Sequence, residues 1–89
     1  MSSPDDFQPS EMAYLYQELA DFVAGQIQRG DMKPGTRLPP EREFAELYRV
    51  SIGTARRATR ELRERGLVVT LPIKGTFVVD TPGEDTRDP

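Results

Sequence analysis

The sequence predicts an α+β fold in which three helices precede a two-stranded β-hairpin. Apolar residues recur at helical spacing in three successive stretches up to Gly66. Beyond Gly66 the pattern changes to two short runs that are rich in β-branched residues. With 89 residues the chain has room for one small domain, which we expect at residues 10–79, between a disordered tail at residues 1–9 and an acidic disordered tail at residues 80–89.

The first predicted helix carries the longest apolar stripe of the chain. Ser10 lies in the position of an N-cap, and Glu11 after it has the charge that suits a helix N-terminus. Gly30 is expected to end this helix. The apolar residues that share one helix face, and that we expect in the core, are Leu15, Leu19, Phe22, Val23 and Ile27.

A turn leads from the first helix to a shorter second one. Pro34-Gly35 is the dipeptide expected at the centre of a type II turn, and a short extended piece near Leu38 can follow it as a third strand. Pro40 is acceptable in the first turn of the second helix, which we expect to end near Tyr48 or Arg49. The predicted buried face of this helix consists of Phe44, Ala45, Leu47 and Tyr48.

The third predicted helix has small residues on one face and arginines on the other. Ser51 supplies its N-cap oxygen, and Gly66 its left-handed C-terminal stop. The residues expected to face inward are Ala55, Ala58, Thr59 and Leu62. The residues expected to share the outer surface are Gly53, Arg56, Arg57 and Arg60. Such a helix can pack closely on its support while its arginines meet phosphates and base edges.

The end of the patterned region predicts a β-hairpin. Residues 67–71 and residues 76–79 are rich in β-branched side chains, and residues 72–75 between them form a predicted four-residue loop. A lone hairpin is unstable, so we expect it to pack on the helices and to pair with the piece near Leu38. A short connection between the second and third helices, followed by a hairpin, describes a winged helix-turn-helix.

Charge is unevenly distributed along the chain, although the net charge is only −3. Residues 33–79 contain ten Lys and Arg residues against five Asp and Glu residues, whereas the stretches before and after them are acidic. A surface that binds nucleic acid is expected to be basic. The central stretch, with a net charge of +5, is therefore where we expect such a surface.

Composition excludes several functional classes. The chain contains neither cysteine nor histidine, so the commonest metal ligands and general bases are absent, and its glycines fit no nucleotide-binding motif. We therefore expect no enzymatic activity and no cofactor. The sequence has no apolar run of membrane-spanning length and no signal peptide, which predicts a soluble cytoplasmic protein that does not contact a membrane.

Four short motifs occur in order within residues 30–78: P-G-x-x-L-P, E-R-E, V-S-x-x-T-x-R-x-A and G-T-F-V. In this order and spacing they resemble the DNA-binding domain of the GntR family of bacterial transcription regulators. The resemblance implies a sequence-specific regulator that binds double-stranded DNA and represses transcription by occupying an operator. It also implies that the third helix lies in the major groove and that the wing reaches the adjacent minor groove.

The third helix holds most of the candidate DNA contacts. By the resemblance, Ser51, Thr54 and Arg56 touch phosphates and base edges. The chemistry of Arg56 agrees, because its guanidinium fork suits the two acceptors of guanine. A capping role alone is also sufficient to explain a serine at position 51. The hydroxyl group of Thr54 suits either a local hydrogen bond to the helix or a contact with DNA. Arg57 and Arg60 are expected to be phosphate contacts or solvated charges.

The remaining candidates lie on the second helix, at the start of the third, and in the wing. The resemblance places Arg42 near DNA and brings Lys74 and Gly75 to the minor groove. Family members often carry arginine at the position of Ile52 and a hydrogen-bonding residue at that of Gly53. With both of these absent, direct readout in the first helical turn is reduced, and Ile52 is left to touch a thymine methyl group.

The resemblance and the length of the chain also bear on partners. A homodimer on a palindromic operator is expected, because symmetric half-sites multiply modest affinities. Family members continue into a second domain that binds an effector, and this chain has no room for one, so we expect no small-molecule effector within it. The rival hypothesis is a winged-helix adaptor that docks other proteins through its acidic first helix and tails, but such an adaptor has no need of a stripe of arginines.

Overall fold

Three helices and two antiparallel strands follow one another in the predicted order. The structure, a computed structural model, describes residue 4 and residues 14–79. Its elements are α1 (Leu15–Gln28), α2 (Glu41–Tyr48), α3 (Ile52–Glu64), β1 (Val68–Leu71) and β2 (Gly75–Val78). The predicted α+β arrangement of a winged helix is therefore confirmed. Apart from residue 4, the tails predicted at residues 1–9 and 80–89 lie outside the described residues.

Helix α1 packs on α3 and is shorter than predicted. It begins at Leu15, with Tyr14 as an N-cap residue in extended conformation (φ −73°, ψ 116°), and not directly after Ser10, which lies outside the described residues. It ends as predicted, at a left-handed Gly30 (φ 87°). Its fully buried side chains are Leu19, Ala20 and Val23. The half-buried members of the predicted stripe are Leu15, Phe22 and Ile27.

The predicted turn and third strand connect α1 to α2. Thr36 N–H donates to the carbonyl of Lys33 (3.0 Å), and Gly35 between them has a φ of 87°, as a type II turn requires. The extended piece that follows forms a single antiparallel bridge, in which Arg37 pairs with Phe77 of β2. The predicted third strand is therefore reduced to this bridge, which ties the wing to the turn.

Helix α2 buries only part of its predicted face. Phe44, Ala45 and Tyr48 are buried, but Leu47 is 46% exposed, so its predicted burial is wrong. At 100° per residue, Leu47 lies about a sixth of a turn outside the arc that the three buried residues define. Pro40 precedes the helix as its N-cap residue, and its carbonyl accepts from Phe44 N–H (2.8 Å).

The connection between α2 and α3 passes through a left-handed arginine. Arg49 has a φ of 60°, and the following N–H, that of Val50, donates to the carbonyl of Ala45 (3.0 Å). This is the position at which a helix usually carries glycine, because a Cβ is strained there. Arg49 is exposed, so the fold gains no burial in return.

We expect Arg49→Gly to stabilise the domain by about 0.5–1 kcal/mol, since the relief of left-handed strain exceeds the entropy that glycine loses on folding. Thermal unfolding followed by circular dichroism measures the effect. Arg49→Ala is the matched control, because it removes the same charge but keeps the Cβ. An equal gain from both variants would show that charge, and not backbone strain, is responsible.

Helix α3 is capped and oriented as predicted. Thr54 N–H donates to Ser51 Oγ (3.0 Å) at its start. Gly66 is left-handed (φ 80°) at its end, where Leu67 N–H donates to the carbonyl of Leu62 (3.0 Å). The inward residues are all buried, as predicted: Ala55, Ala58, Thr59 and Leu62. The core therefore lies between α3 and the elements packed on it. Tyr48 of α2 is part of this core, and its burial raises the pKa of its hydroxyl group.

The wing has a shorter loop than predicted. Gly75 pairs with Leu71 in the antiparallel ladder, so the loop consists of residues 72–74 and not of residues 72–75. Lys74 N–H closes this loop on the carbonyl of Leu71 (3.1 Å). Val79 N–H donates to the carbonyl of Leu67 (3.0 Å), which anchors the far end of the hairpin next to the end of α3.

Candidate nucleic-acid interface

The exposed side of α3, the start of α2 and the wing border a common cleft. Its volume is about 180 Å³. Residues 37–41 line one side of the cleft, and the other lining residues are Thr59, Arg63, Thr70, Gly75 and Thr76. Of the predicted DNA-contact residues Gly75 lines this cleft, while the others lie outside it on α2, along α3 from its N-cap, and in the wing loop.

The first turn of α3 combines a satisfied cap with an open surface. Ser51 Oγ accepts from Thr54 N–H and donates to Thr54 Oγ1, both at 3.0 Å, so both side chains take part in the cap. Ile52 is 38% exposed. A Cβ added to Gly53 would meet only Ser51 Oγ, at 3.8 Å, which is an ordinary contact. Packing within the domain therefore does not require glycine at position 53.

Arg56 is held by an acidic residue of the neighbouring helix. Its Nε donates to Glu41 Oε1 (3.1 Å), and Glu41 lies in the first turn of α2. The side chains of Arg56 and Glu41 are 57% and 45% exposed. Exposed ion pairs of this kind contribute about 0–1 kcal/mol, so Arg56 can exchange Glu41 for another acceptor at little cost.

The other arginines of the predicted outer surface have different surroundings. Arg57 is exposed, as predicted, but its guanidinium lies over the ring of Tyr16 in α1, 4.0 Å from the centroid. This cation–π contact directs it toward α1, to one side of Arg56. Arg60 is exposed on α3, and Arg42 is exposed on α2.

The base of the wing is built around Gly75 and Arg37. Gly75 has a φ of 120°, and a Cβ on it would lie 2.6 Å from Nε of Arg37. That same Nε donates to the carbonyl of Lys74 (3.2 Å). The fold therefore accounts for a glycine at position 75, because both its positive φ and the overlying side chain of Arg37 disfavour a Cβ there. Lys74 is exposed beside it.

Two basic residues of this surface were missed by the sequence-based predictions. Arg63 donates from Nη1 to Thr70 Oγ1 (3.0 Å), which links α3 to the wing across the cleft. The sequence does contain a signal for Arg63, because Arg56, Arg60 and Arg63 stand at i, i+4 and i+7 and so share one face of a helix. Arg37 had no such signal, since only the bridge to β2 brings it to the wing.

Arg65, in contrast, joins two helices on the side of α3 that faces α1. Its Nη2 donates to Asp21 (2.7 Å) and its Nε to Glu61 (3.0 Å). Partial burial lowers the pKa of Arg65, but these hydrogen bonds and the two carboxylate charges outweigh burial and raise it overall. Part of the acidic surface of α1 is thus used to bind α3.

The described residues form neither a cluster of metal ligands nor a membrane-spanning helix. Among residues 14–79, Asp and Glu side chains form no cluster that could hold a metal ion. None of the three helices in this part of the chain is long and apolar enough to cross a membrane.

Comparison with known proteins identifies the family. Residues 15–78 match the sequence profile described as "Bacterial regulatory proteins, gntR family". The chain belongs to the GntR family. This is a family of transcription regulators and not of enzymes, in agreement with the prediction of no enzymatic activity.

Individual relatives agree with this assignment. The chain is 40% identical to the protein named as HTH-type transcriptional regulator RmpR of Mycobacterium gastri, over 97% of this chain and 34% of the relative. It is 39% identical to the mannosyl-D-glycerate transport/metabolism system repressor MngR of Escherichia coli, over 72% of this chain and 27% of the relative. The chain therefore spans about a third or less of the length of these curated relatives.

A solved GntR-type structure shares the fold and contains DNA. The DNA-binding domain of AraR in complex with operator ORX1 has a TM-score of 0.71 and 32% sequence identity, over 82% of this chain and 92% of that one.

Proposed function

We propose that residues 10–79 form the DNA-binding domain of a repressor that occupies operator DNA, with α3 in the major groove and the wing at the adjacent minor groove. The observation that carries the proposal is the asymmetry of α3, whose inward face is small and fully buried while its exposed face carries arginines beside the wing. A relative named as a repressor and a similar domain crystallised on its operator support it.

Within this proposal Arg56 reads a base and other residues bind the backbone. Arg56 leaves Glu41 and donates to guanine through its planar fork. Arg60 is exposed on the same face and, with Arg42 of α2, is assigned to phosphates. Arg57 binds phosphate from its stacked position on Tyr16. These contacts fix the register of the helix but carry little sequence information themselves.

In this proposal the DNA duplex approaches the first turn of α3 closely. Ser51 and Thr54 use their hydroxyl groups in the cap. Thr54 Oγ1 keeps its own hydrogen, which it can donate to a phosphate oxygen, whereas Ser51 donates to a phosphate only after its hydrogen turns away from Thr54. Gly53 has no side chain, so the duplex backbone or base edges can come near. Ile52 is exposed enough to contact a thymine methyl group.

The proposed assembly is a homodimer on a palindromic operator in the bacterial cytoplasm. One winged helix buries a modest surface on DNA, and two half-sites multiply its affinity. The proposal assigns no small-molecule effector to residues 14–79.

Selection from a randomised duplex library with the 89-residue chain tests this function. Enrichment of a two-fold symmetric site would establish a sequence-reading dimer and give the spacing of its half-sites. Absence of enrichment, both for the chain and for a fusion to a dimeric partner, would contradict the proposal. The adaptor hypothesis would then be favoured.

Lys74→Ala is expected to weaken binding to all duplexes alike and to reduce the slope of log K against log salt by about one unit, because one phosphate contact and its released counterion are lost. Fluorescence anisotropy over a range of salt concentrations measures both effects. Lys33→Ala, a lysine outside the wing, is the matched control. Loss of affinity for one sequence only, with an unchanged slope, would contradict the assignment of Lys74 to phosphate.

A further inference from the structure

The tip of the wing is apolar and uncovered. Ile73 is 104% exposed, and Leu71 before it in the chain is 42% exposed. Pro72 between them is also exposed and has no N–H group to donate. No other residue of the described chain shows a large apolar side chain so fully to solvent.

The backbone at the tip is strained as well. Ile73 has a φ of 71°, which is a genuine outlier for a β-branched residue. Two hydrogen bonds hold the loop in this conformation: Lys74 N–H donates to the carbonyl of Leu71 (3.1 Å), and Arg37 Nε donates to the carbonyl of Lys74 (3.2 Å). These hydrogen bonds hold the backbone that places the isoleucine side chain at the tip of the wing. Arg49 is also left-handed and exposed, but it is not β-branched, so Ile73 is the stronger outlier and the one that indicates a function outside the fold.

The charges around the tip favour a nucleic acid over a protein as its partner. Lys74 follows Ile73 directly, Arg37 crosses the base of the loop, and Arg63 lies across the cleft. The centres of protein–protein interfaces are depleted of such charges, whereas cations beside an apolar wedge are typical of proteins that bind the minor groove. The cations would bind the two phosphate backbones on either side of the groove.

We propose that Ile73 is a wedge that enters the minor groove and partly unstacks one base step. The inference deepens the proposed DNA-binding function and depends on it. Because flexible pyrimidine–purine steps such as TA are the easiest to unstack, the wing selects sequence through deformability, without hydrogen bonds to bases. Ile73 is then a specificity-determining residue that acts separately from Arg56.

The experiment compares wild type, Ile73→Gly and Ile73→Met, each as the full 89-residue chain. The probe is the duplex enriched by selection, about 30 base pairs long, with a donor and an acceptor dye at its ends to report bending. A second duplex replaces the flexible step facing the wing by AA. Val69→Thr, a substitution on the exposed side of β1, is the matched control.

Wild type is expected to bend the first duplex and to bind it about tenfold more tightly than the AA duplex. Ile73→Gly is expected to lose the bend and this preference, while its melting temperature rises by a few degrees because the strain is relieved. Ile73→Met keeps an apolar wedge and should retain both properties. Val69→Thr should behave as wild type.

Equal affinity and equal bending for wild type and Ile73→Gly would overturn the wedge while leaving DNA binding intact. Binding by wild type without bending would do the same. If wild type bound no duplex at all, the proposed function itself would fail, and the two failures are thus distinguishable. The higher melting temperature of Ile73→Gly ensures that a loss of binding is not a loss of folding.

Discussion

Arg56→Ala is expected to remove the preference for the enriched operator while leaving weak binding to all DNA. The affinity for the best site should fall by between about tenfold and a hundredfold, because a bidentate contact to guanine is lost. Binding to unrelated duplexes should fall much less, since the phosphate contacts of Arg60 and Lys74 remain. Parallel library selection with wild type and variant measures both effects.

Glu41→Gln is the matched variant for this experiment. It removes the charge that holds Arg56 through a 3.1 Å hydrogen bond but keeps the size of the side chain. Affinity for all duplexes should rise slightly, because an acidic group leaves the surface, and the selected sequence should stay the same. An Arg56→Ala variant that lost affinity equally on every duplex would place Arg56 among the phosphate contacts.

Phe44→Ala is expected to unfold the domain at room temperature. Phe44 is 1% exposed and packs edge-on against Tyr48, with ring centroids 5.3 Å apart. Such a truncation costs about 3–5 kcal/mol, which is about as much as the core of a domain this small supplies in total. Urea unfolding followed by circular dichroism measures the difference.

Leu47→Ala, on the same helix, is the control for Phe44→Ala. Its side chain is 46% exposed, so its removal should change the free energy of unfolding by about 0.5 kcal/mol or less. Two variants of similar instability would mean that α2 as a whole is weakly formed. The large difference that we expect would confirm which side of α2 contacts α3.

Local patterns were sufficient to predict most of the fold. Ser51 and Gly66 delimit α3 through their own backbone chemistry, and the spacing of its alanines determines which face is buried. Leu47 was assigned wrongly because α2 is too short for its apolar residues to define the centre of the buried arc. The loop of the wing was predicted one residue too long because glycine has a low preference for strands, whereas Gly75 pairs with Leu71 in the ladder.

The candidate site was less predictable than the fold. Periodicity placed Arg56, Arg57 and Arg60 on one outer surface, but it cannot show that Tyr16 of α1 attracts Arg57 or that Glu41 of α2 holds Arg56. These partners come from other helices. The exposure of side chains on a single helix was therefore predictable, while the contacts between two elements required the structure.

The open space around Gly53 has a consequence for how such regulators diverge. A side chain introduced there meets only Ser51 Oγ at 3.8 Å, and the position is exposed. Glycine inside a helix is also less stable than other residues, so almost any replacement is tolerated by the domain. Under the proposed function, one codon change at position 53 therefore alters the DNA-facing surface of α3 while the domain keeps its stability.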